Sequence, residues 1–153
     1  RASRQGLTHD ELEQALWSAL LANGDGTFSY YFTPEQYERT KDYYYEAGRL
    51  RKYSSGGFSA EFVRQAEYTQ WDEDGIPTAL LVKVDKEEYL SFELMNVGLA
   101  TVLPSVCLGR YQILCGVPPE ECMVLVRVVD EKTGELIVET TFPVEEGLSS
   151  KEN

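Results

Sequence analysis

Residues 123–129 read Met-Val-Leu-Val-Arg-Val-Val, and as a strand they are apolar on both faces. Val124, Val126 and Val128 line one face, while Met123, Leu125 and Val129 make the other largely apolar too. Such a strand must be covered on both sides, so it sits centrally or between layers. Residues 136–142 supply its neighbour across Asp130-Glu131-Lys132-Thr133-Gly134-Glu135, the cleanest hairpin pattern in the chain.

The same period of two appears upstream. Phe58, Ala60, Phe62, Ala66 and Tyr68 take alternate positions, with polar residues between them, which reads as a long strand with one wet face. A helix over 59–69 is the competing reading. Asp72-Glu73-Asp74-Gly75 favours the strand, because it is a natural turn into a partner over 76–84. Residues 89–95 read as a third strand, with Leu90, Phe92 and Leu94 on one face. Short strands over 99–103 and 110–115, interrupted at Pro104 and Gly109, complete the pattern.

The N-terminal third is helical in pattern. Thr8 and Glu11 form a capping box ahead of Leu12, Leu16, Ala19 and Leu20, giving a helix over about 8–22 that ends at Asn23-Gly24-Asp25-Gly26. Thr33-Pro34-Glu35 opens a second helix, with a capping residue, proline in the first turn and an acid near the positive helix end. It runs to about Ala47, where Gly48 stops it.

This order predicts an α+β fold: an N-terminal pair of helices packed on a twisted antiparallel sheet of five to seven strands. The alternative is a helical hairpin followed by an immunoglobulin-like β-sandwich. Residues 1–147 read as a single domain, with 8–47 helical, 58–142 an antiparallel β part and 148–153 a solvated tail. A chain of 153 residues buries about two thirds of its unfolded surface, so it can build a core without staples. No uninterrupted apolar run approaches the ~20 residues of a membrane span.

Charge narrows the function classes. The chain carries 14 basic and 26 acidic residues, net −12, and the excess lies in residues 58–119 (4 against 9) and 120–153 (3 against 9). A nucleic-acid partner calls for the opposite field. The first residue, Arg1, reads as the start of a processed or trimmed chain. With the acidic, tyrosine-rich composition this gives the expectation of an exported, extracytoplasmic bacterial domain, secreted or lipid-anchored; a cytoplasmic one is the alternative.

Catalytic and metal motifs are sparse. His9 is the only histidine and lies far along the chain from Cys107, Cys115 and Cys122, so a Cys–His nucleophile pair or a zinc site is hard to assemble. Free buried thiols are the favoured reading of the three cysteines, with a Cys115–Cys122 bridge as the other. Asn23, Asp25, Gly26 and Thr27 match part of an EF-hand loop, but Leu21 and Phe32 occupy positions where calcium needs oxygen. No cofactor is called for. Asp72, Asp74, Glu87 and Glu88 fall in expected turns, and they carry the alternative of a small carboxylate-dependent hydrolase.

The unusual feature is aromatic density: Tyr30, Tyr31, Phe32, Tyr37, Tyr43, Tyr44, Tyr45 and Tyr53 crowd one segment. Three consecutive tyrosines on a helix point about 100° apart, so they cannot all enter one core. Tyr44 shares a face with Tyr37 and is expected inward, leaving Tyr43 and Tyr45 on the flanks. Arg49, Arg51 and Lys52 follow directly. Tyr43, Tyr45, Arg49, Arg51 and Lys52 are therefore the expected contact site of a non-catalytic interaction or ligand-binding domain. Its partner would be a protein, peptide or glycan, and the pattern sets no oligomeric state. The competing reading has the rings packing the helix on the sheet with their hydroxyls outward.

Overall fold

The computed structural model describes residues 20–22, 24–25, 28–30, 32–50 and 61–143. The chain divides into two compact units, residues 1–39 and 40–153.

In the first unit, β1 (Leu20–Ala22) pairs antiparallel with β2 (Phe28–Tyr30), Leu20 opposite Tyr30 and Ala22 opposite Phe28. The expected helix over 8–22 is overturned at its C-terminal end. Its remainder, 8–19, lies outside the described residues. Gly24, with φ 79°, turns between two strands and not between two helices, which removes the helix–loop–helix frame of the EF-hand comparison. Helix α1 (Pro34–Gly48) begins in this unit as the sequence indicates. Gln36 N–H donates to Thr33 Oγ1, and Gln36 Oε1 accepts from Thr33 N–H, a reciprocal cap that satisfies two donors at the helix start.

The second unit is built on β5 (Val124–Asp130), with Val124, Val126 and Val128 buried as the alternation requires. It lies inside a four-stranded sheet of order β3-β4-β5-β6, where β3 is Val63–Trp71, β4 is Pro77–Val84 and β6 is Leu136–Phe142. The two hairpins fold where their turn residues place them. Gly75 (φ 78°) and Gly134 (φ 72°) take left-handed conformations that suit glycine. Asp72 Oδ1 accepts from the backbone N–H of Asp74 and of Ile76, each at 2.9 Å, and fixes the first turn.

The sheet is mixed, not antiparallel, and it is one sheet, not a sandwich. β4 and β5 run parallel, Leu80 opposite Val126 and Val82 opposite Val128. Parallel neighbours need a crossover, and here it is helical. The strands expected at 89–95, 99–103 and 110–115 are α2 (Lys86–Ser91), α3 (Glu93–Val97), a π-helical turn (Gly98–Val102) and α4 (Leu103–Leu114). Asp85 caps α2 by accepting from Glu88 N–H, which lowers the Asp85 pKa, with Lys132 and Arg64 adding to the effect. Leu103 N–H reaches Gly98 O, five residues back, so the helix widens for one turn just before Pro104.

The face that the crossover packs on the sheet is mostly small or polar: Asn96, Ala100, Thr101, Pro104, Ser105, Cys107, Leu108 and Gln112. Asn96, Thr101 and Ser105 are satisfied locally. Thr101 Oγ1 donates to Val97 O (2.6 Å), Ser105 Oγ to Thr101 O (2.5 Å) and Asn96 Nδ2 to Tyr89 O (2.9 Å). Continuous from Glu93 to Leu114, this helix is by length and composition long and apolar enough to cross a membrane. Counting uninterrupted apolar runs misses it, because Gly, Thr, Pro and Ser punctuate its sequence. A helix packed along a sheet passes the same test.

Candidate interaction face

The end of α1 shows how the tyrosines divide. Ala47 and Gly48 are its buried residues, and they bring the helix close to the sheet. A Cβ at Gly48 would collide with Tyr68 Oη, so glycine is what permits the approach. Tyr45, three residues before Gly48, shares that face. Its ring packs edge-on against Tyr68 (5.0 Å) and Tyr111 (5.2 Å), and its carbonyl accepts from Tyr68 Oη at 2.6 Å. The expected register is therefore corrected: Tyr45 is the inward ring, packed against the core, while Tyr44 is half-buried at its edge.

Arg49 follows Tyr45 inward. Its guanidinium lies over the rings of Tyr45 (5.9 Å) and Tyr68 (6.0 Å) and within 3.9 Å of Glu46. It is a cation held in an aromatic corner, with Nε buried and unpartnered, and not an open surface charge. Arg51 and Lys52 lie outside the described residues. Of the five residues expected to form the contact site, Tyr43 alone is described as exposed, at 44%.

Burial holds the hydroxyls of Tyr68 and Tyr111 protonated well above the ordinary tyrosine range; Tyr45 beside Tyr68, and Cys115 beside Tyr111, add to the effect. Both folded-state values are raised. Their contribution to stability is therefore complete below about pH 10 and is lost as pH rises above it, where the unfolded chain ionises first. Alkaline unfolding is expected to begin above that pH, and phenylalanine at both positions should move its midpoint upward in a pH titration followed by near-UV circular dichroism. An unchanged midpoint would contradict this account of the two hydroxyls.

Tyr43 and Tyr44 lead outward to a second feature. Their rings meet edge-on at 5.4 Å, and Arg110 of α4 donates to Tyr44 Oη at 3.0 Å while covering its ring. Arg110 is itself exposed and lies between Val106 and Ile113 on α4. Along the crossover helix Met95, Val102, Val106 and Ile113 are all exposed, and Leu94 is 93% exposed. Met95, Val102 and Gly109 are seven residues apart, as are Leu99, Val106 and Ile113. The steps alternate four and three, a spacing that suits pairing with another helix; Met95, Val102, Val106 and Ile113 are its exposed members, whereas Gly109 is half-buried and Leu99 half-buried against the core. Between Leu94 and Leu114 the one charged side chain is Arg110. The tyrosine ledge and the helix seam thus form one continuous surface.

The four carboxylates named for the hydrolase alternative do not form one cluster; Asp72 and Asp74 line a pocket together with Glu73 and Glu121, and Glu87 and Glu88 do not. Asp72 and Asp74 flank the turn before β4, whereas Glu87 and Glu88 follow its far end in α2. The eight residues of β4 put about 26 Å between them. Cys107, Cys115 and Cys122 form no disulfide, Cys107 being buried and the others half-buried, so the Cys115–Cys122 bridge is not formed. His9 lies outside the described residues. Among the described residues no cluster of three or more acidic, histidine or cysteine side chains converges on a metal position.

No known family model, curated protein or solved structure matches the chain.

Proposed function

We propose that this protein is a non-catalytic interaction domain. Its docking surface is the exposed seam of the crossover helix, with Tyr43, Tyr44 and Arg110 at one edge. The observation that carries the reading is the reversed polarity of that helix. Leu94, Met95, Val102, Val106 and Ile113 are exposed, while most of the buried positions are small or polar, with Leu108 the large apolar exception and Val97, Leu99 and Tyr111 packed at the core's edge. Exposed contiguous apolar surface is costly for an isolated protein and marks sites that a partner covers. The heptad spacing fits the apolar face of a partner helix, read as anchors at successive turns. A mainly aliphatic seam suits a protein partner better than a glycan, which would need more exposed aromatic surface.

The test is site-specific photocrosslinking in the cells that naturally make the protein. A photoreactive residue at Val102 or Val106 is expected to give one discrete adduct, and the same residue at Thr69, exposed on β3, none. Val102→Glu combined with Val106→Glu should abolish an adduct formed from Ile113 while leaving folding intact, since both valines are about half exposed. Discrete adducts from Thr69, with none from the helix seam, would overturn the proposal.

A further inference from the structure

The helix seam carries two charges without a counter-ion. Glu93 opens α3 and Arg110 lies in α4, and no other charged side chain occurs between Phe92 and Val117. Both are exposed. Among the described residues neither takes part in an ion pair; Arg110 is held instead by Tyr44. On a chain of net charge −12 this stretch is therefore neutral, with its acid near one end and its base near the other.

That arrangement is complementary to itself. Glu93 lies nine residues before Val102 and Arg110 eight after it. At about 1.5 Å per residue, each is about 12–14 Å from Val102 along the helix. In an antiparallel pair with a two-fold axis at Val102, the acid of one copy comes level with the base of the other. The apolar positions follow the same rule: Met95 comes level with Gly109 of the second copy, and Val106 with Gly98. A Cβ at Gly98 or Gly109 would meet nothing within 4 Å among the described residues. The fold of one chain thus gives no reason for glycine there, although glycine is a poor helix former. A second helix gives one, because a large side chain needs a hollow opposite it if two helices are to pack closely. A parallel pair would instead set Glu93 against Glu93, Arg110 against Arg110 and Met95 against Met95.

We propose that the partner of the seam is a second copy of this chain, docked antiparallel about a two-fold axis at Val102, with Glu93 of each copy paired to Arg110 of the other. The inference rests on reading the seam as a docking surface, and it names the occupant. A two-fold contact of this kind uses the same patch on both copies and closes at two. Tyr44 prepares it: its hydroxyl accepts from Arg110 at 3.0 Å and its ring lies under the guanidinium. A side chain already held in place loses little freedom when the carboxylate arrives.

The experiment is sedimentation equilibrium on the full chain, with charge-swapped variants and cysteine crosslinking. The wild-type chain is expected to show a monomer–dimer equilibrium that saturates at two copies. Glu93→Arg or Arg110→Glu alone puts like charges in register and should weaken the dimer about ten-fold or more. The two together restore opposite charges and should return it to within about three-fold of wild type. Gly98→Ala with Gly109→Ala should weaken it about five-fold without lowering the melting temperature of the dilute chain. Mild oxidation, in a background of Cys115→Ser and Cys122→Ser, reads the register. Val102→Cys should crosslink to its own copy, whereas Ile113→Cys, similarly exposed but about 16 Å further along the helix, should not. A chain that stays monomeric up to about 1 mM would overturn the inference. In that case a seam adduct in cells that contains a different polypeptide would leave the docking surface standing, and the lack of any adduct would remove both. Failure of the double charge variant to recover, or crosslinking from Ile113 as readily as from Val102, would also overturn it.

Discussion

Val126→Asp is expected to leave no cooperatively folded protein. Val126 is fully buried in β5, with Leu80 of β4 on one side and Thr140 of β6 on the other. A carboxylate there has no cation to pair with, and burying it unpaired costs several kcal/mol, on the order of 4 or more. That is most or all of the stability of an ordinary domain. Two controls separate charge from shape. Val126→Ala removes buried carbon without adding charge, should cost about 2–3 kcal/mol, and should still unfold in a single transition. Arg127→Asp places the same carboxylate one residue further on, at an exposed position where the native side chain pairs with Glu139 at 2.6 Å. It loses an exposed pair and should cost only about 1 kcal/mol. Urea unfolding followed by circular dichroism reads all three. A Val126→Asp variant with a near-native midpoint would contradict the position of β5 inside the sheet.

That prediction rests on the part of the fold that was legible in the sequence. Strands whose large residues face the core announce themselves by alternation, and their turns by Asp and Gly at fixed places. Hence β5, β6 and the β3–β4 hairpin fall close to where the pattern puts them, as does the capped start of α1. The crossover was not legible, for one physical reason. Apolar periodicity finds a helix when large residues mark its buried face. Here that face is Ala100, Thr101, Pro104, Ser105 and Gln112, whose hydroxyl and amide groups bond back to nearby carbonyls. The residues that catch the eye, Leu90, Phe92 and Leu94, are exposed, and their alternation mimics a strand. Reading 85–121 as strands in turn made the sheet antiparallel. A helical connection of that length is what lets β4 and β5 run parallel.

The same error hid the candidate site. Once the helix is assigned, the steps of four and three from Met95 to Ile113 are plain in the sequence, but as strands they meant nothing. At the tyrosines the expected division was right in kind and wrong in register. Matching Tyr44 to Tyr37 weighed large residues alone. The close approach is made by Ala47 and Gly48, and a helix face containing Gly48 also contains Tyr45.

Gly48→Ala is accordingly expected to be far more damaging than a glycine-to-alanine change at a helix end normally is. Alanine is the better helix former by about 1 kcal/mol, so propensity alone predicts a gain. Against it, the new Cβ would occupy the space of Tyr68 Oη, and Tyr68 cannot move away freely. It is buried in β3, packed on Tyr45, and donates to Tyr45 O at 2.6 Å. Relief of the clash means either lifting α1 from the sheet or breaking that hydrogen bond. Overpacking costs about 1–3 kcal/mol and the lost bond about 1 more, so a net loss of about 2–3 kcal/mol is expected. The hydroxyl is the specific obstacle, because the ring carbon beneath it lies at 3.5 Å from the same Cβ position, an ordinary contact. Tyr68→Phe should by itself cost about 1 kcal/mol and leave space for the methyl group. In that background Gly48→Ala should be close to neutral, so the double-mutant cycle should show a coupling of about 2 kcal/mol. Chemical denaturation of the four proteins measures it. Additive losses would mean that α1 does not approach β3 through Gly48, and the placement of Tyr45 as the inward ring would fall with it.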